Sequence, residues 1–217
     1  MKPYYEADGI TIYHGDALEV LPALSGVAAT VTDPPYGINW KPRVNHRGKD
    51  QLWVDDIAFD PQPWLGVGKA HLFWGAQYFA DKLPVSESWL AWIKRPVAGF
   101  DFSNDRRTYA TTEFAWCDFG VKPAFIAHVW DGGMRAGAAE NRTFCHPSQK
   151  PLEVMRWCLT MCPVEGLVLD PFMGSGTTLR AAKDLGRPAI GIEVEERYCE
   201  IAANRLAQGV LDLGGAA

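Results

Sequence analysis

The chain has 217 residues, 47% of them hydrophobic, and a formal net charge of −5 at neutral pH. That length and apolar content suit one domain over residues 1–217 with a full core, and the lack of a run of eighteen apolar residues argues against a membrane span. Net acidity disfavours a protein that coats nucleic acid without specificity, although residues 41–49 (Lys-Pro-Arg-Val-Asn-His-Arg-Gly-Lys) carry cations and no acid. Five cysteines without paired spacing, and no apolar leader after Met1, predict a reduced, cytoplasmic protein.

Short apolar runs alternating with helical patterns predict a parallel α/β sheet. In chain order, a strand is expected at 10–13, a helix at 17–24 and a strand at 27–32. A strand at 70–74, a helix at 77–83, and strands at 89–94, 112–117 and 125–130 follow. The last third reads as a helix at 151–161, a strand at 167–170, a helix at 177–185, a strand at 189–193 and a helix at 195–207. Gly186 is placed to cap the helix from Thr177. The last helix sets Tyr198, Ile201, Ala202 and Leu206 on one side. Segments 37–60 and 131–147, rich in Gly, Asn and Arg, fit neither period and read as long functional loops rather than linkers.

Two segments carry chemistry. Between strand 167–170 and the next helix, Gly174 and Gly176 allow a tight turn whose helix N-terminus presents amides to an anion. A phosphate-binding loop would need a lysine after Gly176, and none is there. Asp170 at the strand end offers a carboxylate to a cationic ammonium. Glu193 ends the next strand about twenty residues on, where an acid takes ribose hydroxyls. Ribose, ammonium and carboxylate together describe S-adenosylmethionine; a turn that merely closes a βα unit is the plainer alternative.

The second segment is Asp33-Pro34-Pro35-Tyr36, directly after strand 27–32. Two prolines remove two backbone donors, leaving carbonyl oxygens and the Asp33 carboxylate as acceptors. Such a ledge suits the two N–H donors of an exocyclic amino group. Tyr36 adds a flat ring on which an extruded base can stack. A proline turn with a core tyrosine would leave the same residues without that role. Cys158 and Cys162, four apart in a helix, lack the convergent partners of a metal site and read as small core residues, so no metal is expected.

These residues resemble the amino-methylating DNA methyltransferases in their permuted, β-class motif order, which places Asp-Pro-Pro-Tyr before the cofactor strand. His14-Gly15-Asp16 is similar to the family's Gly-Asp element, and His146-Pro147-Ser148-Gln149-Lys150-Pro151 to its His-Pro-x-x-Lys-Pro box. Asp170-Pro171-Phe172-Met173-Gly174-Ser175-Gly176-Thr177-Thr178 is similar to its cofactor strand and turn, and Gly191-Ile192-Glu193 to its ribose contact. Trp92-Ile93-Lys94 and Thr112-Glu113 resemble the segment flanking the target base. The matches run over residues 10–207.

The resemblance implies a Rossmann-like, mostly parallel sheet of seven strands in permuted order, with helices on both faces. It implies Asp33, Pro34, Pro35 and Tyr36 as catalytic residues. S-adenosylmethionine would be held by Asp16, Asp33, Lys150, Asp170, Phe172, Gly174, Ser175, Gly176, Thr177, Thr178 and Glu193, with Lys150 near the cofactor carboxylate and Asp16 near its adenosine end. Trp40, Lys41, Arg43, Arg47 and Lys49 are candidates for contact with double-stranded DNA. The implied reaction is direct methyl transfer to the amino group of a flipped-out base, adenine before cytosine because Asp stands first in the tetrapeptide. Methylation of cytosine-N4 or of RNA, and a non-catalytic DNA-binding relative, remain as alternatives. The span from Glu113 to Lys150 is too short for a sizeable recognition region. Specificity then falls to the two loops, to a partner in a homodimer, or is loose, and the chain is expected to act as a monomer or homodimer.

Overall fold

A computed structural model of the chain describes residues 2–38, 58–94, 110–131, 134–135 and 149–208. Its strands are β1 (Tyr5–Ala7), β2 (Ile10–His14), β3 (Val27–Thr32), β4 (Ala70–Trp74), β5 (Ser88–Ile93), β6 (Thr112–Cys117), β7 (Ala124–Ala127), β8 (Trp130–Asp131), β9 (Met134–Arg135), β10 (Leu167–Asp170) and β11 (Ala189–Glu193). The α-helices are α1 (Ala17–Val20), α2 (Leu152–Met161), α3 (Thr177–Asp184) and α4 (Glu196–Ala207).

One sheet has the order β1-β2-β11-β10-β3-β4-β6-β5-β7, and β8 and β9 form a separate antiparallel ribbon. From β2 through β4 every pairing is parallel. Strand β6 runs against both β4 and β5. The seven strands from β2 to β5 are the expected Rossmann-like core, extended by β1 on one edge and β7 on the other. Late β10 sits at the centre, flanked by β11 and by early β3. That neighbourhood is the permuted order in structural form.

Alternation along the strands divides the core into two layers, as a sheet covered on both faces requires. Val31, Leu72, Trp74, Leu90, Trp92 and Val168 face the layer that contains α2, α3 and α4. Helix α2 meets it through Val154, Met155, Cys158 and Leu159, a stripe at helical spacing. Phe73, Trp116, Leu169 and Ile192 face the other way, onto α1 and the aromatic group Phe59, Trp64 and Phe79.

Most boundaries agree with the sequence reading, and the differences have local causes. Strand β1 is an addition to that reading. Its turn is an Asp-Gly pair with positive φ at both Asp8 (φ 50°) and Gly9 (φ 76°). This is the backbone that a two-residue hairpin demands. The helix expected at 17–24 tightens at Leu21-Pro22 into a 3-10 turn over Leu21–Ala23, a common way for a short helix to end. In place of a helix at 77–83 stand two 3-10 turns, Ala76–Tyr78 and Ala80–Lys82, separated by Phe79 at φ −141°. The strand expected at 125–130 stops at Ala127, although the His128 amide still donates to Ile93 O (3.0 Å), and Trp130 begins the separate β8–β9 ribbon. On α4 the fully buried positions are Cys199, Ala202 and Leu206, while Tyr198 and Ile201 are half-buried.

Helix α3 ends as expected at Gly186 (φ 68°). The Gly186 amide donates to Lys183 O (3.0 Å) and the Arg187 amide to Ala182 O (2.9 Å), a complete Schellman closure. Its start is equally constrained. Gly176 has φ 75°, and a methyl added there would stand 2.8 Å from Ala202 Cβ on α4. Gly176→Ala is therefore expected to lower folding stability by about 1–3 kcal/mol through strain and overpacking, measured as a reduced denaturant midpoint with unchanged slope.

Candidate active site

The parallel strands all end at one edge of the sheet, where ligands of open α/β folds bind. Four acids stand there on neighbouring strands: Asp16 after β2, Glu193 ending β11, Asp170 ending β10 and Asp33 after β3. Asp16 caps α1 by accepting the Leu18 amide on Oδ1 at 2.7 Å, which satisfies one of the helix's free donors. Its neighbour Gly15 donates to Glu193 O at 3.0 Å. Asp16, Glu193, Asp170 and Asp33 are thus brought together at the carboxyl edge of the sheet.

Asp170 is 2% exposed. Its Oδ1 accepts the Thr32 hydroxyl at 2.7 Å and the Phe172 amide at 3.2 Å. Burial pushes its carboxyl up to about 6, against the opposing pull of Thr178, Thr32 and the Phe172 amide, because a dry site disfavours the charged form. The Glu193 carboxylate receives the Gly174 amide on Oε2 (3.0 Å) and the Glu195 amide on Oε1 (2.9 Å). Burial raises its pKa too, with those two amides working the other way. Each Glu193 oxygen keeps a lone pair for a hydroxyl donor.

Gly176 is the N-cap of α3 and has no side chain to offer, so side-chain capping leaves the first-turn amides to other partners. Thr177, Thr178 and Ser175 are buried around the turn, and Ser175 Oγ lies 3.4 Å from Gln149 Oε1. Phe172 is half-buried, its ring edge-on to Phe59 and Trp64. The buried Asp170, the half-buried Glu193, a helix start without a side-chain cap and an aromatic wall fit a cofactor that carries hydroxyls, a cation and a carboxylate.

Beside these residues Asp33 heads the second half of the site. Tyr36 donates its hydroxyl to Asp33 Oδ1. The Tyr36 ring stacks on Tyr78, centroids 5.1 Å apart and planes at 25°. It also lies on Gly75, where an added methyl would come within 2.0 Å of Tyr36 Cε1. Gly75 follows β4 with φ 69°, so both its conformation and its missing side chain make room for Tyr36.

Lys150 reaches into the same place. Its Nζ lies 2.6 Å from Asp33 Oδ2, 3.0 Å from the Tyr36 hydroxyl and 3.0 Å from Glu113 Oε2. The ring centroids of Tyr36 and Trp74 are each 5.7 Å from the ammonium, close enough for the ring faces to attract it. Glu113, on β6, is held on its other oxygen by Lys94. Burial disfavours the Glu113 carboxylate, yet Lys150 and Lys94 outweigh it and hold its pKa at about 2. Burial likewise opposes the Lys150 ammonium, and Asp33 with Glu113 overcomes that and raises its pKa. For Asp33, burial wins over Lys150 and the net direction is upward. Burial and the adjacent Asp33 keep Tyr36 protonated, far above an ordinary phenol.

The resemblance implied a seat for Lys150 near the cofactor carboxylate; the structure seats its ammonium on Asp33. Gly75, Tyr78 and Trp74 are additions to the residues expected at the site. A Gly after a buried aromatic strand end is the available signal for Gly75. The sequence marks Glu113 only as part of a flanking segment. The proposed DNA contacts Trp40, Lys41, Arg43, Arg47 and Lys49 lie outside the described residues, as does His146; so do most of segments 37–60 and 131–147. Cys117, Cys158, Cys162 and Cys199 are all buried and free. Burial pushes Cys117 and Cys199 up to about 12 and Cys158 upward as well, so these thiols are not poised as nucleophiles.

Known proteins resemble this chain in sequence and in fold. Residues 121–204 match the profile of a DNA methylase family, N6_N4_Mtase. The chain is 30% identical to the Type II methyltransferase M.ScaI of Streptomyces caespitosus, over 94% of this chain and 84% of that protein. Against the Type II methyltransferase M2.LlaDCHI of Lactococcus lactis subsp. cremoris, identity is 43% over 96% and 93% of the two chains. Among solved structures, the M1.HpyAVI–SAM complex shares 28% identity with a TM-score of 0.57, covering 90% of this chain and 99% of that one. PvuII DNA methyltransferase, cytosine-N4-specific, is alike in fold, with a TM-score of 0.60 and 17% identity over 97% of this chain and 90% of that one. The chain belongs to the S-adenosylmethionine-dependent, amino-methylating DNA methyltransferases. Among the described residues no helix is long and apolar enough to cross a membrane.

Two outcomes are expected at this site. Burial pushes the Asp170 carboxyl up to about 6, so the pairing with a cationic ammonium expected from the sequence would require it to lose its proton near that pH. S-adenosylmethionine affinity, followed by calorimetry, is expected to weaken as pH falls through that value and to lose the dependence in Asp170→Asn. Gly75→Ala is expected to displace Tyr36 and cut turnover by about tenfold or more, with cofactor affinity retained in the same assay.

Proposed function

We propose that the protein methylates the exocyclic amino nitrogen of adenine, flipped out of double-stranded DNA, with Asp33 as the residue that receives the amino group. The observation that carries this reading is the Asp33–Tyr36 ledge lying next to the Asp170–Glu193 crevice, on adjacent strands β3 and β10. A base and a cofactor bound in the two halves would be neighbours. The choice of adenine rests on Asp standing first in the tetrapeptide; cytosine-N4 is the second reading, favoured by the fold likeness to the cytosine-N4-specific PvuII enzyme.

When bound, S-adenosylmethionine supplies a methyl group on a positively charged sulfur. Asp170 would hold its ammonium and Glu193 its ribose, with Asp16, Phe172, Ser175, Thr177 and Thr178 lining the crevice. Asp33 accepts one amino hydrogen and the Pro34 carbonyl the other, which turns the nitrogen lone pair away from the base plane and toward the crevice. As the nitrogen gains charge, an acceptor already in place stabilises it more than it stabilised the neutral amine. Asp33 then takes the proton that the alkylated nitrogen sheds. Burial has already raised its affinity for a proton, which suits that late transfer. Direct transfer needs no protein nucleophile, in accord with the raised thiol pKa values. The Tyr36–Tyr78 pair gives an aromatic surface beside the ledge for a base removed from its stack.

The test is incubation with labelled S-adenosylmethionine and mixed-sequence duplex DNA, followed by digestion to nucleosides. Label in N6-methyladenine is expected; label in N4-methylcytosine would keep the mechanism and replace the base, and label only in RNA would replace the substrate. Asp33→Ala is expected to reduce turnover by about a hundredfold or more, while cofactor affinity changes little. Near-native turnover in that variant would overturn the role given to Asp33.

A further inference from the structure

Both Asp33 oxygens are already engaged. The Tyr36 hydroxyl occupies Oδ1 and the Lys150 ammonium sits 2.6 Å from Oδ2. An ammonium and an amino group are the same kind of guest for this ledge: a nitrogen that donates hydrogens to a carboxylate. Each Asp33 oxygen keeps a second lone pair, but the ammonium 2.6 Å from Oδ2 crowds that side of the carboxylate and takes up its charge, so a nucleobase amino group that donates there must compete with Lys150. Lys150 also has a second anchor. Glu113 Oε2 lies 3.0 Å from Nζ, and Glu113 is fixed by its own strand and by Lys94 on its other oxygen. The Lys150 side chain is 7% exposed, so an ammonium released from Asp33 needs a partner that does not require it to return to water.

We propose that Lys150 is a built-in competitor of the target base: its ammonium closes the Asp33 ledge in the resting protein, and base entry shifts it onto Glu113. This rests on the reading of Asp33 as the acceptor of a base amino group. It makes Lys150 and Glu113 positioning residues with opposite effects on base affinity. Removing the competitor strengthens binding of a base, whereas removing its alternative anchor weakens it. A merely structural ion-pair cluster would lose binding whichever member is removed.

The probes are 9-methyladenine and 1-methylcytosine, which carry the amino group without DNA, titrated into cofactor-free protein by calorimetry or NMR. Lys150→Met is expected to bind at least one of them about tenfold more tightly than the unaltered protein, and Glu113→Gln severalfold more weakly. Lys150→Gln replaces Lys150→Met if the latter fails to fold. In the unaltered protein, saturation with the base is expected to shift the Lys150 Nζ resonance. Affinity for both bases that is unchanged or lower in the Lys150 variant, or an unmoved Nζ signal at saturation, overturns the proposal. Equal affinity in Glu113→Gln and the unaltered protein overturns the part given to Glu113. Because these readouts need no methyl transfer, their failure is distinct from a failure to label DNA. The expected ranking without DNA labelling would keep the competitor and discard the DNA reading.

Discussion

The bond from the Thr32 hydroxyl to Asp170 Oδ1 joins two parts of the chain that are far apart in sequence. At 2.7 Å and fully buried, it links the last residue of β3 to the last residue of β10. The parallel pairing of these strands sets the distance between the crevice at Asp170 and the ledge at Asp33. On the proposed function, a methyl group passing between molecules bound at these two places requires that distance to be held closely, since small misplacement costs rate heavily. Adjacent strands of a packed sheet meet that demand better than loops do.

The ledge itself is an exercise in burying charge. Asp33, Lys150, Glu113 and Lys94 alternate in sign, so each ion is neutralised by a neighbour rather than by water. Trp74, Tyr36 and Trp92 surround the two lysines with ring faces. In so dry a place the charge on Asp33 depends on its company. That is why a lysine just ahead of α2 and a glutamate from the antiparallel strand β6 bear on a carboxylate they do not adjoin in sequence.

Much of this is legible in the sequence because the signals are local. Strands β3, β4, β6, β10 and β11 can be read from continuous apolar runs, and the Gly174–Gly176 turn from its glycines. Asp33, Asp170 and Glu193 each end such a run, which marks them as residues at the carboxyl edge. What escapes is set by tertiary contact. Gly75 matters because Tyr36 lies on it, and Glu113 because Lys150 arrives from another element; neither relation has a sequence period. The segment 77–83 has apolar residues at helical spacing, yet Phe79 leaves helical geometry to bury its ring beside Phe59. Strand β1 escapes although its Asp-Gly turn is visible, because three residues are too few to establish an alternation.

The central place of β10 also bears on when this protein becomes a catalyst. The ledge residues leave the ribosome early, but β3 has only β4 for a parallel neighbour until residues 167–170 emerge. Lys150 and α2 arrive late as well. A nascent chain therefore carries Asp33 without the crevice beside it and without the cation that neutralises it. Contacts spanning so much sequence close slowly, because loop entropy must be met before they contribute. Assembly of the two halves is thus a late folding event, and methyl transfer waits on it.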